Sequence, residues 1–90
     1  MELIHMEDQS KWLALNDEVQ IGELQYERDE KTITIVHTEV EPFYRGNKVA
    51  EDLVLAAIKL ARDNQLKVVP ACSFAATVFE RYPDEQDVLA

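Results

Sequence analysis

The chain has 90 residues, of which 47% are hydrophobic and 30% are charged, and its formal net charge is −9. This length predicts a single domain over residues 1–90 with one modest core, and the composition is typical of a folded chain. The acidic balance argues against a nucleic-acid partner or an anionic membrane partner, because the long-range field has the wrong sign, and it favours a cationic partner such as an amine.

The cysteine content and the first residues bear on the compartment. A single cysteine, Cys72, rules out an internal disulfide and fits a reducing compartment. The opening stretch MELIHMEDQSK has no basic segment followed by an apolar run, and the longest apolar stretch is too short to span a bilayer. We therefore expect a cytoplasmic protein. The oligomeric state is left open between a monomer and a weak dimer. Two widely spaced histidines and one cysteine form no recognisable metal-ligand set.

The first half of the chain predicts an antiparallel β-meander, because its apolar residues tend to alternate. Four strands are expected, at residues 3–6, 11–16, 19–27 and 32–40. The alternation changes phase at Gly22, which indicates a β-bulge. The stretch TITIVHTEV is rich in β-branched residues and long enough to be a central strand.

The second half changes to helical periodicity. A helix is expected over residues 47–64, with an apolar stripe comprising Val49, Ala50, Leu53, Val54, Ala57, Leu60 and Ala61. Glu51 is among the charged residues placed mostly off this stripe. An apolar strand at 66–72 and a final helix at 73–82 follow, and residues 84–90 are expected to pack loosely.

The order strand, helix, strand predicts a crossover unit, so strands 32–40 and 66–72 should be parallel. The fold class is therefore α+β, with a β-meander followed by a β-α-β crossover and a short C-terminal helix. Pro70 cannot donate to a β-ladder, so it marks either the place where the two parallel strands part or an ordinary edge strand.

The junction EPFYRGNKVAEDLV, between the long strand and the helix, has the features of an anion site. A helix N-terminus presents unpaired N–H groups and a partial positive charge, and Gly46 lets a ligand approach the backbone. Arg45 and Lys48 add two formal charges that suit a pyrophosphate. Asn47 could satisfy the helix donors only as the N-cap itself. The alternative is that Gly46 makes a tight turn and the cations are solvated.

These residues resemble a known family. The segments HTEV, RG-x-x-VA-x-x-LV and P-x-CSF, in this order and spacing, are similar to the GNAT acetyltransferase superfamily, and specifically to its short stand-alone members of the YjdJ type. The resemblance implies a cut-down GNAT fold that binds acetyl-CoA and lacks much of the N-terminal helical region that shapes acceptor sites in larger members.

The resemblance also assigns the cofactor-binding residues. The pyrophosphate loop would run from Arg45 to Ala50, and the pantetheine arm would pair with main chain near Val40. The full set expected is Thr38, Glu39, Val40, Arg45, Gly46, Asn47, Lys48, Val49, Ala50 and Ser73. This chain departs from the family pattern in having Lys48 where a small residue is usual and Phe43 where glutamine or arginine is common.

Two residues are candidates for the chemistry, because the final helix has Phe79 where many relatives have a proton-donating tyrosine. Cys72 precedes a helix whose dipole can lower a thiol pKa, so it could accept the acetyl group or assist proton transfer; the alternative is a small core residue. His37, expected on one strand face with Glu39, Ile33 and Ile35, could act as a base, or be structural. Tyr82 could replace the tyrosine only in a different helix register.

Two functions compete, and a third hypothesis is a small interaction domain without a nucleotide ligand. The first is an acetyl-CoA-dependent N-acetyltransferase acting on a small amine or a lysine side chain. The second is a non-catalytic module that binds CoA or acyl-CoA for regulation, which the position of Phe79 favours.

Overall fold

The computed structural model describes residues 1–90 and shows one five-stranded sheet with two α-helices. In chain order the elements are β1 (Glu2–Met6), β2 (Lys11–Asn16), β3 (Val19–Arg28), β4 (Thr32–Val40), α1 (Val49–Asp63), β5 (Lys67–Pro70) and α2 (Ser73–Arg81). The strands lie in the order β1-β2-β3-β4-β5; the first four pair antiparallel, and β5 pairs with β4 in parallel. The predicted α+β class, meander and crossover are confirmed.

The core lies between one face of the sheet and the two helices. Its fully buried side chains include Leu24, Ile33 and Ile35 from the sheet and Leu53 and Val54 from α1. Burying each such side chain contributes roughly 1.5–3 kcal/mol. This shared core fixes the position of α1 over β3 and β4, and with it the geometry of the junction that precedes the helix.

The helix α1 differs from its prediction in two respects. It begins at Val49 rather than at residue 47, because Lys48 has a left-handed backbone, with φ of +64°. Its buried face also includes Ile58 and Glu51, which is only 6% exposed. The placement of Glu51 off the buried stripe was therefore wrong.

Two β-bulges decide which side chains face the core. The first leaves Ile21 without a partner, since Ala14 pairs with Gly22 and Leu15 with Gln20, which confirms the irregularity predicted at Gly22.

The second bulge lies in β4. His37 pairs with Gln25 and Ile35 with Tyr26, so Val36 is the extra residue. An extra residue reverses the alternation of a strand. Ile35 faces the core before the bulge and Val40 faces it afterwards.

The expectation that His37 and Glu39 share a face with Ile33 and Ile35 is therefore wrong. Both side chains are exposed.

The segment after α2 packs firmly, contrary to the expectation for residues 84–90. Pro83–Val88 forms a 3-10 turn that buries Val88. The Arg62 guanidinium donates to Glu85 at 2.6 Å and to Asp87 at 3.0 Å, and hydrogen bonding to Arg62 holds the pKa of Asp87 below its usual value. None of the helices has the length and apolar character needed to cross a membrane.

Candidate functional site

A groove of about 800 Å³ lies between the end of β4, the loop before α1, and α2. It is lined by His37, Thr38, Glu39, Val40, Tyr44, Arg45, Gly46, Lys48, Val49, Ala50, Glu51, Phe74 and Arg81. The structure thus gathers most of the site residues that the sequence predicted. Three of them, Asn47, Cys72 and Ser73, do not line the groove.

The groove exists because β4 is longer than its parallel partner. The last paired residues are Ile35 and Pro70, after which the Cys72 N–H donates to the Ile35 carbonyl at 3.0 Å. Residues 36–40 of β4 therefore have no partner strand on this side. The predicted parting of the strands at Pro70 is confirmed, and β5 is also the edge strand of the sheet.

Only alternate residues of this open edge direct main-chain groups away from β3, and Val40 is one of them. The Arg45 Nε donates to the Val40 carbonyl at 3.4 Å, a long bond that leaves the carbonyl weakly engaged. The Thr38 N–H is one of the groups that lower the pKa of the Cys72 thiol. An extended, amide-bearing ligand could pair with such an edge as an added strand.

The N-terminus of α1 opens into the groove without a cap. Lys48 is the N-cap residue and makes no side-chain capping bond, so the N–H groups of the first turn have no partner within the helix. Asn47 does not cap the helix, because its Nδ2 donates to the Tyr44 carbonyl at 3.4 Å. The helix end is thus free to bind an anion through its N–H groups and its dipole.

The loop depends on two left-handed residues, Gly46 with φ of +87° and Lys48 with φ of +64°. A Cβ at Gly46 would meet no atom within 4 Å, so the glycine is required by its backbone angle and not by lack of space. Lys48 also has a left-handed backbone, which glycine would adopt without strain, because a Cβ in the left-handed region costs about 1–2 kcal/mol.

We expect Lys48→Gly to raise the free energy of unfolding by about 1 kcal/mol, since it removes the strained Cβ at a modest entropic cost. Urea denaturation measures this change. The matched control is Lys48→Ala, which removes the same charge but keeps a Cβ in the left-handed region, and it should not stabilise the protein. Equal stabilisation by both variants would point to charge and not backbone strain.

Three cations face two carboxylates in the groove: Arg45, Lys48 and Arg81 against Glu39 and Glu51. The groove is thus locally cationic in an acidic protein. Sequence reasoning missed Tyr44, Glu51, Arg81 and Phe74 as site residues. A signal was present for the last three, since Glu51 shares helical spacing with the buried Val54 and Ile58, and Phe74 and Arg81 lie two turns apart on α2.

Cys72 lies directly behind the groove wall. It is the N-cap residue of α2, and its Sγ is 3.8 Å from the Thr38 Oγ1. Burial raises the pKa of the Cys72 thiol, but the N–H groups of Ala75, Phe74 and Thr38 and the Thr38 hydroxyl outweigh it, so that the pKa is lower than usual. The thiol is therefore easier to ionise than a free cysteine. Cys72 does not line the groove itself, but Thr38, which it contacts, does.

The other candidates for proton transfer lie apart from Cys72. The His37 Nε2 is 3.2 Å from the Glu39 Oε2, and His37 makes no hydrogen bond to Cys72. Phe79 is buried in the core with 2% exposure. Tyr82 follows the last residue of α2, and a hydrogen bond to the Glu51 carboxylate raises its pKa.

An open β4 edge beside an uncapped helix end is the arrangement that the resemblance noted in the sequence implies. The family model for GCN5-related N-acetyltransferases matches residues 11–88, and the chain belongs to this family. The resemblance noted in the sequence is confirmed, as is the cut-down GNAT fold.

Solved structures agree with this assignment. A GCN5-like protein from Staphylococcus aureus is 30% identical, covers 99% of this chain and 87% of its own, and superimposes with a TM-score of 0.72. Rv2747 from Mycobacterium tuberculosis, solved with CoA, is 22% identical over 83% of this chain, with a TM-score of 0.64. The aminoglycoside N-acetyltransferase AAC(6')-Iy, also solved with CoA, is 16% identical over 79% of this chain, with a TM-score of 0.60. The chain spans 48% and 63% of these two larger proteins.

Proposed function

We propose that the chain binds acetyl-CoA in the groove and transfers the acetyl group to an amine, either a small molecule or a lysine side chain. The observation that carries this proposal is the uncapped N-terminus of α1, which opens into a groove beside an unpaired β4 edge. The family of the chain and the CoA found in two structures of similar fold support it.

Each part of the cofactor has a matching surface. The N–H groups of the first turn of α1 would bind the diphosphate, aided by the charges of Arg45 and Lys48. The pantetheine amides would pair with main chain from Thr38 to Val40, displacing the long bond from Arg45. The thioester would then lie at the Cys72 end of the open edge.

Acetyl transfer requires a neutral amine. A lysine-like amine with a pKa of about 10.4 is neutral in only about one molecule in 2,500 at pH 7. The His37–Glu39 pair lines the groove and could accept the amine proton. The amine then attacks the acetyl carbonyl, and the bond to sulfur breaks to release the CoA thiolate.

Cys72 offers a two-step route through the protein. Its thiolate would attack the acetyl carbonyl and displace the CoA thiolate, and the acetyl group would pass from Cys72 to the neutral amine. The lowered pKa of the thiol favours this route.

A non-catalytic CoA-binding module is the second candidate, and one observation favours it. Phe79, where many relatives have an acidic tyrosine, is buried in the core and cannot protonate a leaving thiolate. Without another acid to protonate the CoA thiolate, the groove would bind the cofactor without catalysing acetyl transfer.

Calorimetry with CoA and acetyl-CoA, combined with a free-thiol assay over a panel of amines, tests the proposal. We expect binding of both ligands and release of free thiol with at least one amine. Tight binding with no thiol release would select the binding module. Absence of any heat of binding would contradict both functions.

A further inference from the structure

The groove contains a negatively charged side chain, Glu51, that would repel the diphosphate of the proposed cofactor. Glu51 is 6% exposed and lies in the first turn of α1, the same turn whose N–H groups form the proposed diphosphate site. A carboxylate and a diphosphate repel each other, and water screens this repulsion poorly when the carboxylate is buried. Some other group must neutralise Glu51 before the anion can bind well.

Arg81 is the group that does so. Its Nη1 lies 3.4 Å from the Glu51 Oε1, and this is the only ion pair that Glu51 makes. The Glu51 carboxylate raises the pKa of the Tyr82 hydroxyl, so Tyr82 stays neutral and supplies no counter-charge. The other two groove cations make no ion pair with a carboxylate, and the Arg45 Nε is bonded to the Val40 carbonyl.

The pair joins the two helices across the groove. Glu51 lies at the start of α1 and Arg81 at the end of α2, and the Arg81 side chain remains 58% exposed while the Glu51 side chain is 7% exposed. Removing the arginine would therefore leave a buried carboxylate without a counter-charge, which is the costly half of such a pair to break.

We infer, on the basis of the proposed function, that Arg81 sets the affinity of the groove for CoA by neutralising Glu51, and not by binding a phosphate itself. Arg81 is thus a positioning residue whose effect depends on Glu51. When the carboxylate is absent, the arginine is no longer needed for binding. The two side chains form one electrostatic unit beside the diphosphate site.

A double-mutant cycle measured by calorimetry with CoA tests this dependence. Arg81→Met keeps the apolar stem and should weaken CoA binding about 10-fold. Glu51→Gln alone should bind CoA at least as tightly as the wild type. The combination of Glu51→Gln with Arg81→Met should return to within about 3-fold of the wild type, since no unpaired carboxylate remains.

A matched control removes the same charge outside the groove. Lys59 lies on α1, where its side chain is 76% exposed and pairs with Asp63. The variant Lys59→Met should therefore leave CoA affinity unchanged. Thermal unfolding of each variant monitors folding. If Arg81→Met alone does not fold, the comparison of Glu51→Gln with the double variant still measures whether Arg81 acts without its carboxylate.

The outcomes separate this inference from the proposed function. If the double variant stays as weak as Arg81→Met, the arginine contacts phosphate directly and the inference is overturned. Unchanged affinity in Arg81→Met overturns it as well, while the proposed function stands. A wild-type protein that gives no heat with CoA removes both.

Discussion

Gly46→Val is expected to weaken CoA binding by roughly 5- to 150-fold, the equivalent of about 1–3 kcal/mol of backbone strain. A β-branched residue is a poor fit to a φ of +87°, so the loop must change shape or carry the strain. Either outcome displaces the N–H groups that would bind the diphosphate. Titration calorimetry with CoA measures the loss directly.

The control for this prediction is Gly46→Asn. Asparagine tolerates left-handed backbone angles better than valine, and space for a Cβ is open at this position. Most of the affinity should therefore be kept. An equal loss in both variants would show that the loop needs the absence of a side chain and not the backbone angle, and no loss in either would argue against a diphosphate at this helix end.

Cys72→Ala is expected to lower the rate of acetyl transfer at least about 100-fold if Cys72 accepts the acetyl group, because a nucleophile is lost while the cofactor site remains. CoA affinity should change little, since the helix end and the β4 edge that would bind most of the cofactor are unaltered. Initial rates of thiol release, measured beside calorimetry, separate the two effects. Normal turnover by the alanine variant would exclude the nucleophile role and leave the fold assignment intact.

The ionisation of Cys72 gives an independent test. The folded-state pKa is lowered, so the reactive thiolate appears at lower pH in the folded chain than in the unfolded chain. The rate of alkylation by iodoacetamide should rise through a midpoint that lies below the midpoint measured in urea. A midpoint equal to or above the unfolded value would contradict the lowered pKa, and bound CoA should slow the reaction.

The parts of the fold that were predictable depend on local patterns. The β-branched run of β4 and the apolar stripe of α1 each express their periodicity within a few residues, and the crossover follows from their order. Gly46 was recognisable because a glycine and two cations occur together at a strand-to-helix junction, where the helix N-terminus favours an anion. These features needed no knowledge of which strands pair.

The parts that were not predictable depend on pairing across the chain. The stretch TITIVHTEV is rich in β-branched residues throughout, and only the register of β3 against β4 identifies Val36 as an extra residue. His37 was therefore placed on the wrong face. The ion pair that Glu51 forms involves Arg81, thirty positions away, and the packing of the last segment involves the bond from Arg62 to Asp87, twenty-five positions apart.

The segment that follows α2 also protects the sheet. Leu89 forms a parallel bridge with Val68, and the Ala90 N–H donates to the Val68 carbonyl at 2.9 Å on the outer side of β5. A neighbouring molecule therefore cannot extend the sheet at Val68, where an unprotected edge strand would invite self-association. At this end of the sheet, the backbone that can still pair with another strand is residues 36–40 of β4, which extend past the last paired residue of β5, Pro70. The protein thus blocks strand addition on the outer side of β5, while residues 36–40 of β4 stay available to an extended ligand.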